Sequence, residues 1–142
     1  MIRYSLRDFV IESNRIEKIE GTCREEMEEY VRFLKSKVTV KSLERFVDIV
    51  ANAQLRDVEG LDVVIGGWRP IKGGKGILKM LQRIIRVMPH NTPYMTHRAY
   101  ESLHPFMDGN GRSGRVLWLH QMGGIDHAPL GFLHHWYYQS LR

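Results

Sequence analysis

The run His104-Pro105-Phe106-Met107-Asp108-Gly109-Asn110-Gly111-Arg112-Ser113-Gly114-Arg115 gathers a base, a carboxylate, paired glycines and two arginines within twelve positions. His104 is the one group in it whose ordinary pKa suits general-base work at neutral pH. Gly109 and Gly111 admit close backbone approach by a ligand, and free N–H groups at a helix start favour anions. Arg112 and Arg115 are three apart, so on a helix they share a face and offer two cationic forks. Together these make an anion site of phosphate size. Asp108 suits such a site when a cation lies between it and the phosphates. Mg²⁺ binds in that way, through one carboxylate plus substrate oxygens. Taken singly, each residue fits a plain connector with its arginines paired to surface glutamates; the whole set in so short a run does not.

This reading needs one helix to end near Leu103 and another to begin near Gly111. Thr92-Pro93 is a cap-plus-first-residue pair for the former, and Gly123-Gly124 ends the latter after Met122. Upstream, Leu6, Phe9, Val10, Ser13 and Ile16 follow helical spacing, with Gly21 as the stop. Thr22-Cys23-Arg24-Glu25 has capping-box spacing and predicts a second helix burying Met27, Tyr30, Val31 and Leu34. Leu43, Phe46, Val47, Val50, Ala51 and Leu55 form a third stripe. Leu61–Ile65, Gly66-Gly67 and Trp68–Pro70 read as a small hairpin. Lys72-Gly73-Gly74-Lys75-Gly76 is a loop that looks like a phosphate loop but lacks the Walker spacing. Helix returns at Ile77, Leu78, Leu81, Ile84, Ile85 and Met88 and stops at Pro89, and a last helix spans 129–141. The expected fold is all-α with one small β-hairpin, in a single domain over residues 1–142.

The run from His104 to Arg115 resembles the Fic family signature, His-Pro-Phe-x-Asp/Glu-Gly-Asn-Gly-Arg-x-x-Arg, and meets each fixed position. Residues 61–70 stand where that family has its target-docking flap, a β-hairpin. The helix through His97 and Tyr100 is similar to the one preceding the signature. The resemblance implies a protein adenylyltransferase, moving AMP from ATP to a Ser, Thr or Tyr hydroxyl of a target protein. His104 would deprotonate the hydroxyl, and Asp108 would hold Mg²⁺ against the α- and β-phosphates. Gly109, Asn110 and Gly111 would cradle phosphate oxygens by backbone N–H groups and the Asn110 side-chain amide, while Arg112 and Arg115 neutralise the β- and γ-phosphates. Ile65, Gly66, Gly67 and Trp68 would dock the target, and Phe106 would anchor the loop in the core. The Doc-type branch, which transfers phosphate, carries Lys in place of the second glycine, so Gly111 points to AMP transfer. Phosphate transfer or AMP removal at the same site stays open. So does a non-catalytic ATP- and protein-binding module, although a scaffold has no need of His104 or Asp108.

Glu17 and Glu20 fall at about 20° and 320° on the first helix, inside its apolar stripe, where an acid needs a partner. Ser13-Asn14-Arg15-Ile16-Glu17 is similar to the inhibitory helix of Fic proteins, Ser/Thr-x-x-x-Glu followed by Gly or Asn. In that family the Glu pairs with the second signature arginine, here Arg115. Residues 1–21 are therefore expected to be an inhibitory helix with Ser13 and Glu17 as its working pair. Position 18 departs from the pattern, being Lys. Glu20 is followed by Gly21 but lacks the Ser or Thr four residues earlier, and it stands as the alternative brake.

With 43% hydrophobic and 26% charged residues, the chain is of ordinary globular composition. Its lone cysteine, Cys23, excludes an internal disulfide and fits a reducing compartment. No apolar run is long enough for a membrane span, and charges interrupt the N-terminus too early for a secretory signal; a cytoplasmic location is expected. The net charge of +5 is unevenly spread: seven bases and no acid lie between Val63 and Tyr100, and seven glutamates lie between Glu12 and Glu29. No zinc-finger, RRM or comparable signature accompanies the bases, so a nucleic-acid partner is not expected. The bases read as a solvated helix face plus a flexible loop, with holding a polyphosphate or an acidic partner as the other use, and homo-oligomerisation is left open. His127, His134 and His135 lack companion ligands at metal spacing and read as structural or surface residues. Trp136, Tyr137 and Tyr138 read as core, with closure over an adenine as the other use.

Overall fold

A computed structural model describes residues 4–128 and Leu133. The expected helix over 129–141, with His134, His135, Trp136, Tyr137 and Tyr138, lies outside the described residues except for Leu133, which is buried in the core. Six α-helices are present among the described residues: α1 Leu6–Ile16, α2 Arg24–Lys35, α3 Val40–Ala51, α4 Lys75–Val87, α5 Pro93–Leu103 and α6 Asn110–Met122. Short 3₁₀ turns follow α4 at Met88–His90 and α6 at Ile125–His127. The fold is a mainly helical bundle of the expected class.

The signature helix is the hub. From Arg112 to Leu119 every residue of α6 is buried, and the helix packs on α1, α2, α3 and α5. A helix surrounded on all sides needs no single apolar stripe, and its small residues admit close neighbours. A Cβ built on Gly114 would collide with the Glu101 carboxylate, so α5 and α6 approach closely there. Tyr100 and Ser113 join the two helices through a buried hydroxyl pair at 2.7 Å. Phe9, Tyr30, Phe33, Leu43, Phe46, Ile77 and Leu117 fill the core around them.

Local chemistry sets the helix starts and stops. Thr39 caps α3 in a reciprocal box with Ser42, and Thr92 caps α5 just ahead of Pro93. Two expectations at the N-terminus need correction. Helix α1 ends at Ile16 rather than near Gly21, because Lys18 turns left-handed with φ 62°. The capping box at Thr22 does not form. Cys23 is the N-cap of α2 without a side-chain bond, and the Thr22 hydroxyl donates to Glu26 Oε1 instead. Within α2 it is Phe33 that is buried, while Val31 faces outward.

The hairpin is minimal. A single antiparallel bridge joins Ile65 and Trp68 around Gly66, whose φ of 59° is the sign a two-residue II′ turn requires at its first position. Its base is better tied than its tip. Asp62 Oδ1 accepts from the Gly73 N–H at 2.8 Å. A Cβ on Gly73 would strike the Leu61 carbonyl, which explains a glycine at that close crossing.

Candidate active site

His104 is the residue that ends α5. Its backbone is left-handed, φ 53° and ψ 62°, a conformation unfavourable for a side chain with a Cβ. A buried arginine holds it there. Arg56 is 0% exposed. Its Nε donates to the His104 carbonyl at 2.7 Å, and its Nη2 to the Leu103 carbonyl at 3.0 Å. Its Nη1 reaches the carbonyls of Leu61 (3.2 Å) and Ile71 (2.9 Å), the two ends of the flap segment. The Arg56 N–H also donates to Pro105 O, and Leu55 bridges to Phe106. One guanidinium thus binds the loop that starts at His104 to the base of the flap, and burial pulls its pKa down. Sequence reading missed Arg56. It stands 48 positions from His104, and nothing local distinguishes it from a surface arginine.

The His104 ring is half-buried. Its Nδ1 lies 3.4 Å from the Glu101 carbonyl, which can only accept, so a proton on Nδ1 leaves the Nε2 lone pair for a substrate. Burial is the main cause holding its pKa below the usual histidine value, and the Arg56 charge acts in the same direction. The imidazole is therefore neutral at neutral pH. It opens onto a cleft of ≈ 540 Å³ that Ile65 and Trp68 of the flap face from the other side, with Arg98 and Glu101 also in its wall.

Beyond His104 the loop is fixed from within. Phe106 is 0% exposed and plugs the core. The Asn110 amide turns inward, its Oδ1 accepting from the Phe106 N–H and its Nδ2 donating to the Phe106 carbonyl. What Asn110 leaves for a ligand is its backbone N–H, with those of Gly111 and Arg112, in the unpaired first turn of α6. Gly109 is needed twice over: its φ is 78°, and a Cβ there would collide with Ala51 of α3. Asp108 is exposed, with Oδ1 accepting from the Gly109 N–H at 2.7 Å. One free carboxylate at an anion site is the donor set that Mg²⁺ shares with phosphate oxygens, so these residues fit that ion.

The two arginines reach different neighbours. Arg112 Nη1 donates to the Val50 carbonyl at the end of α3 (2.9 Å). Arg115 turns to α1. Its Nε donates to Ser13 Oγ at 2.7 Å and its Nη2 to the Ser13 carbonyl at 3.1 Å. The same Nη2 pairs with Glu17 Oε1 at 2.7 Å. That carboxylate oxygen lies so close over α6 that a Cβ on Gly111 would strike it. Glu17 therefore sits at the helix N-terminus, where an anion is favoured. Glu20 lies beyond the helix, exposed and outside this contact. Buried Asn14, another residue missed from sequence, braces the turn: its Nδ2 donates to Gly21 O and Glu26 Oε1. His127 is exposed, Cys23 is exposed, and no helix among the described residues is long and apolar enough to cross a membrane.

Comparison with known proteins agrees with this geometry. A profile described as the Fic/DOC family matches residues 41–122, from the start of α3 to the end of α6. No curated protein and no solved structure matches the chain. The matched span covers more than half of the sequence and contains the flap segment, His104, the α6 anion site and Arg56. The chain belongs to the Fic/DOC family.

Proposed function

We propose that this chain is a protein adenylyltransferase restrained by its own Glu17. The observation that carries the reading is the pairing of His104, at a cleft edged by the flap, with the open N-terminal turn of α6 and its arginines. In the reaction, His104 Nε2 takes the proton of a target hydroxyl as its oxygen attacks the α-phosphorus of ATP. The bond from that phosphorus to the bridging oxygen breaks, and pyrophosphate leaves with the electron pair. Backbone N–H groups of Asn110, Gly111 and Arg112, with the arginines, balance charge on the phosphates, the role such donors have in phosphoryl transfer generally. Mg²⁺ held at Asp108 would supply further neutralisation of the phosphates. Glycine at 111 favours AMP transfer over phosphate transfer, and an intact His104 and Asp108 favour catalysis over a purely binding role.

Glu17 is the brake. Its carboxylate takes Arg115 and the α6 N-terminus from the terminal phosphate, so ATP must displace it to seat productively. ATP labelled on the α- or the γ-phosphate, offered to cell lysate, tests the scheme with wild type, Glu17→Gly, and Glu17→Gly combined with His104→Ala. Entry of α-label only, stronger with Glu17→Gly and absent with His104→Ala, is expected. Entry of γ-label would make the site a phosphotransferase. No entry with ATP still bound would leave a binding module.

A further inference from the structure

The seven bases between Val63 and Tyr100 are all exposed. Lys75, Lys79, Arg83 and Arg86 fall within an arc of about 80° on α4, opposite its buried Ile77, Leu81 and Ile84. Among the described residues none of the seven takes part in an ion pair. The acids of the 12–29 stretch are mostly held within the chain. Glu12, Glu17, Glu28 and Glu29 pair with arginines, and Glu26 accepts from Thr22 and Asn14. That stretch of a second copy has little left to offer this face.

Exposed apolar side chains are concentrated in the same stretch of the chain. Of eleven large apolar side chains exposed among the described residues, eight lie between Val58 and Met95. A groove of ≈ 460 Å³ between α4 and α5 is lined by Ile71, Met80, Ile84, Val87 and Leu103, with Arg83 at its edge. Ser102 lines both this groove and the cleft containing His104, so the two are neighbours on the surface.

We infer that the face of α4 and its groove dock the target itself, as an acidic segment of a partner protein punctuated by apolar side chains. The segment continues past Ser102 to bring its hydroxyl to His104. This rests on the adenylyltransferase reading for the fate of the hydroxyl, and adds to it the chemistry of the target. The bases supply complementary charge and steer encounter. The groove takes the apolar anchors that fix a segment in register. A nucleic acid would satisfy the bases and leave the groove empty, since its backbone carries no aliphatic side chains.

Fluorescence anisotropy without ATP tests the surface apart from catalysis. The probe is a labelled synthetic peptide of glutamates and leucines around one threonine. Its comparators are the same peptide with glutamine for glutamate and a duplex DNA oligonucleotide. Charge reversal by Lys75→Glu, Lys79→Glu and Arg83→Glu together should weaken the acidic peptide by about tenfold or more, with the circular dichroism spectrum unchanged. Met80→Ser should weaken it about threefold, and the glutamine peptide should bind wild type poorly. Equal binding by the reversed variant, no binding by wild type, or tighter binding of DNA than peptide at the same salt would overturn the inference. Transfer of α-label to lysate protein by Glu17→Gly is read separately. If label never enters, the enzyme reading fails while the binding result stands; if label enters and charge reversal changes nothing, the docking surface alone fails.

Discussion

Lys18 occupies the position where the inhibitory pattern has Gly or Asn, and its φ of 62° gives the physical reason for that pattern. Left-handed backbone costs a residue with a Cβ about 1 kcal/mol, and here it directly follows Glu17, the proposed brake. Lys18→Gly removes that strain. Thermal unfolding should rise by about 3 °C, and α-label transfer should fall as Glu17 is held more firmly on Arg115. A rise in transfer would show that the turn does not govern the brake. Arg56 is a second residue-scale case. Its guanidinium serves four carbonyls in three segments, a geometry that the single ammonium of lysine does not reproduce. Arg56→Lys should lower stability by about 2–4 kcal/mol in urea unfolding, and transfer should drop in protein that remains folded because the His104 backbone loses its anchor. The signature was legible in sequence because its chemistry is contiguous. Arg56 was not, because a long-range partner leaves no local periodicity. Glu17 was legible as an acid on an apolar stripe, although that it rather than Glu20 meets Arg115 needed the position where α1 stops.

Helix α1 has two jobs that are separable at the scale of the element. Phe9 and Val10 are 1% and 0% exposed and belong to the core, whereas Glu17 stands just past the helix end as its C-cap. Full burial of the two apolar side chains stabilises the fold by about 3–6 kcal/mol. Deleting residues 1–21 should therefore release the brake and depress the melting temperature strongly, while Glu17→Gly should release it with little thermal change. Calorimetry run beside α-label transfer distinguishes the two, and equal melting of both variants would refute α1 as a core element. The existence of α1 to α4 was readable from apolar spacing and that of α5 and α6 from caps and glycines, and α5 kept its predicted limits because Thr92-Pro93 and the left-handed His104 define both ends. The limits of α1 and α2 were misjudged because side chains there bond across the turn. Thr22 and Asn14 both meet Glu26, a tertiary alternative to the capping box that sequence spacing cannot reveal.

Across the whole molecule, packing α5 against the buried α6 shields two titratable side chains of α5, and their shifts offset each other. His97 is held against the Gly114 carbonyl, and burial lowers its pKa from 6.5 to about 4. Glu101 lies 4.0 Å from it. Its Oε1 is cut off from water without a hydrogen-bond partner, and burial raises its pKa from 4.5 to about 7, with Glu17 acting in the same direction and Arg115 opposing. Between about pH 4.5 and 6.5 the folded pair carries one proton, on Glu101. The unfolded pair also carries one, on His97, so the pair contributes no pH dependence to stability in that window. Glu101→Gln breaks the cancellation. Below pH 6.5 the unfolded chain then takes up a proton on His97 that the folded chain refuses until about pH 4. Stability should fall by up to about 1.4 kcal/mol per pH unit on acidification through that range. Above pH 7 the variant no longer buries an ionised carboxylate and should be more stable than wild type by about 1–3 kcal/mol. Urea unfolding at pH 5 and pH 8 reads the linkage: Glu101→Gln should be clearly the stronger protein at pH 8, and its advantage should shrink to near zero at pH 5. Wild-type-like stability at both values would mean that Glu101 stays ionised in the fold, answered by Arg115, and that the cleft wall beside His104 carries a negative charge at neutral pH.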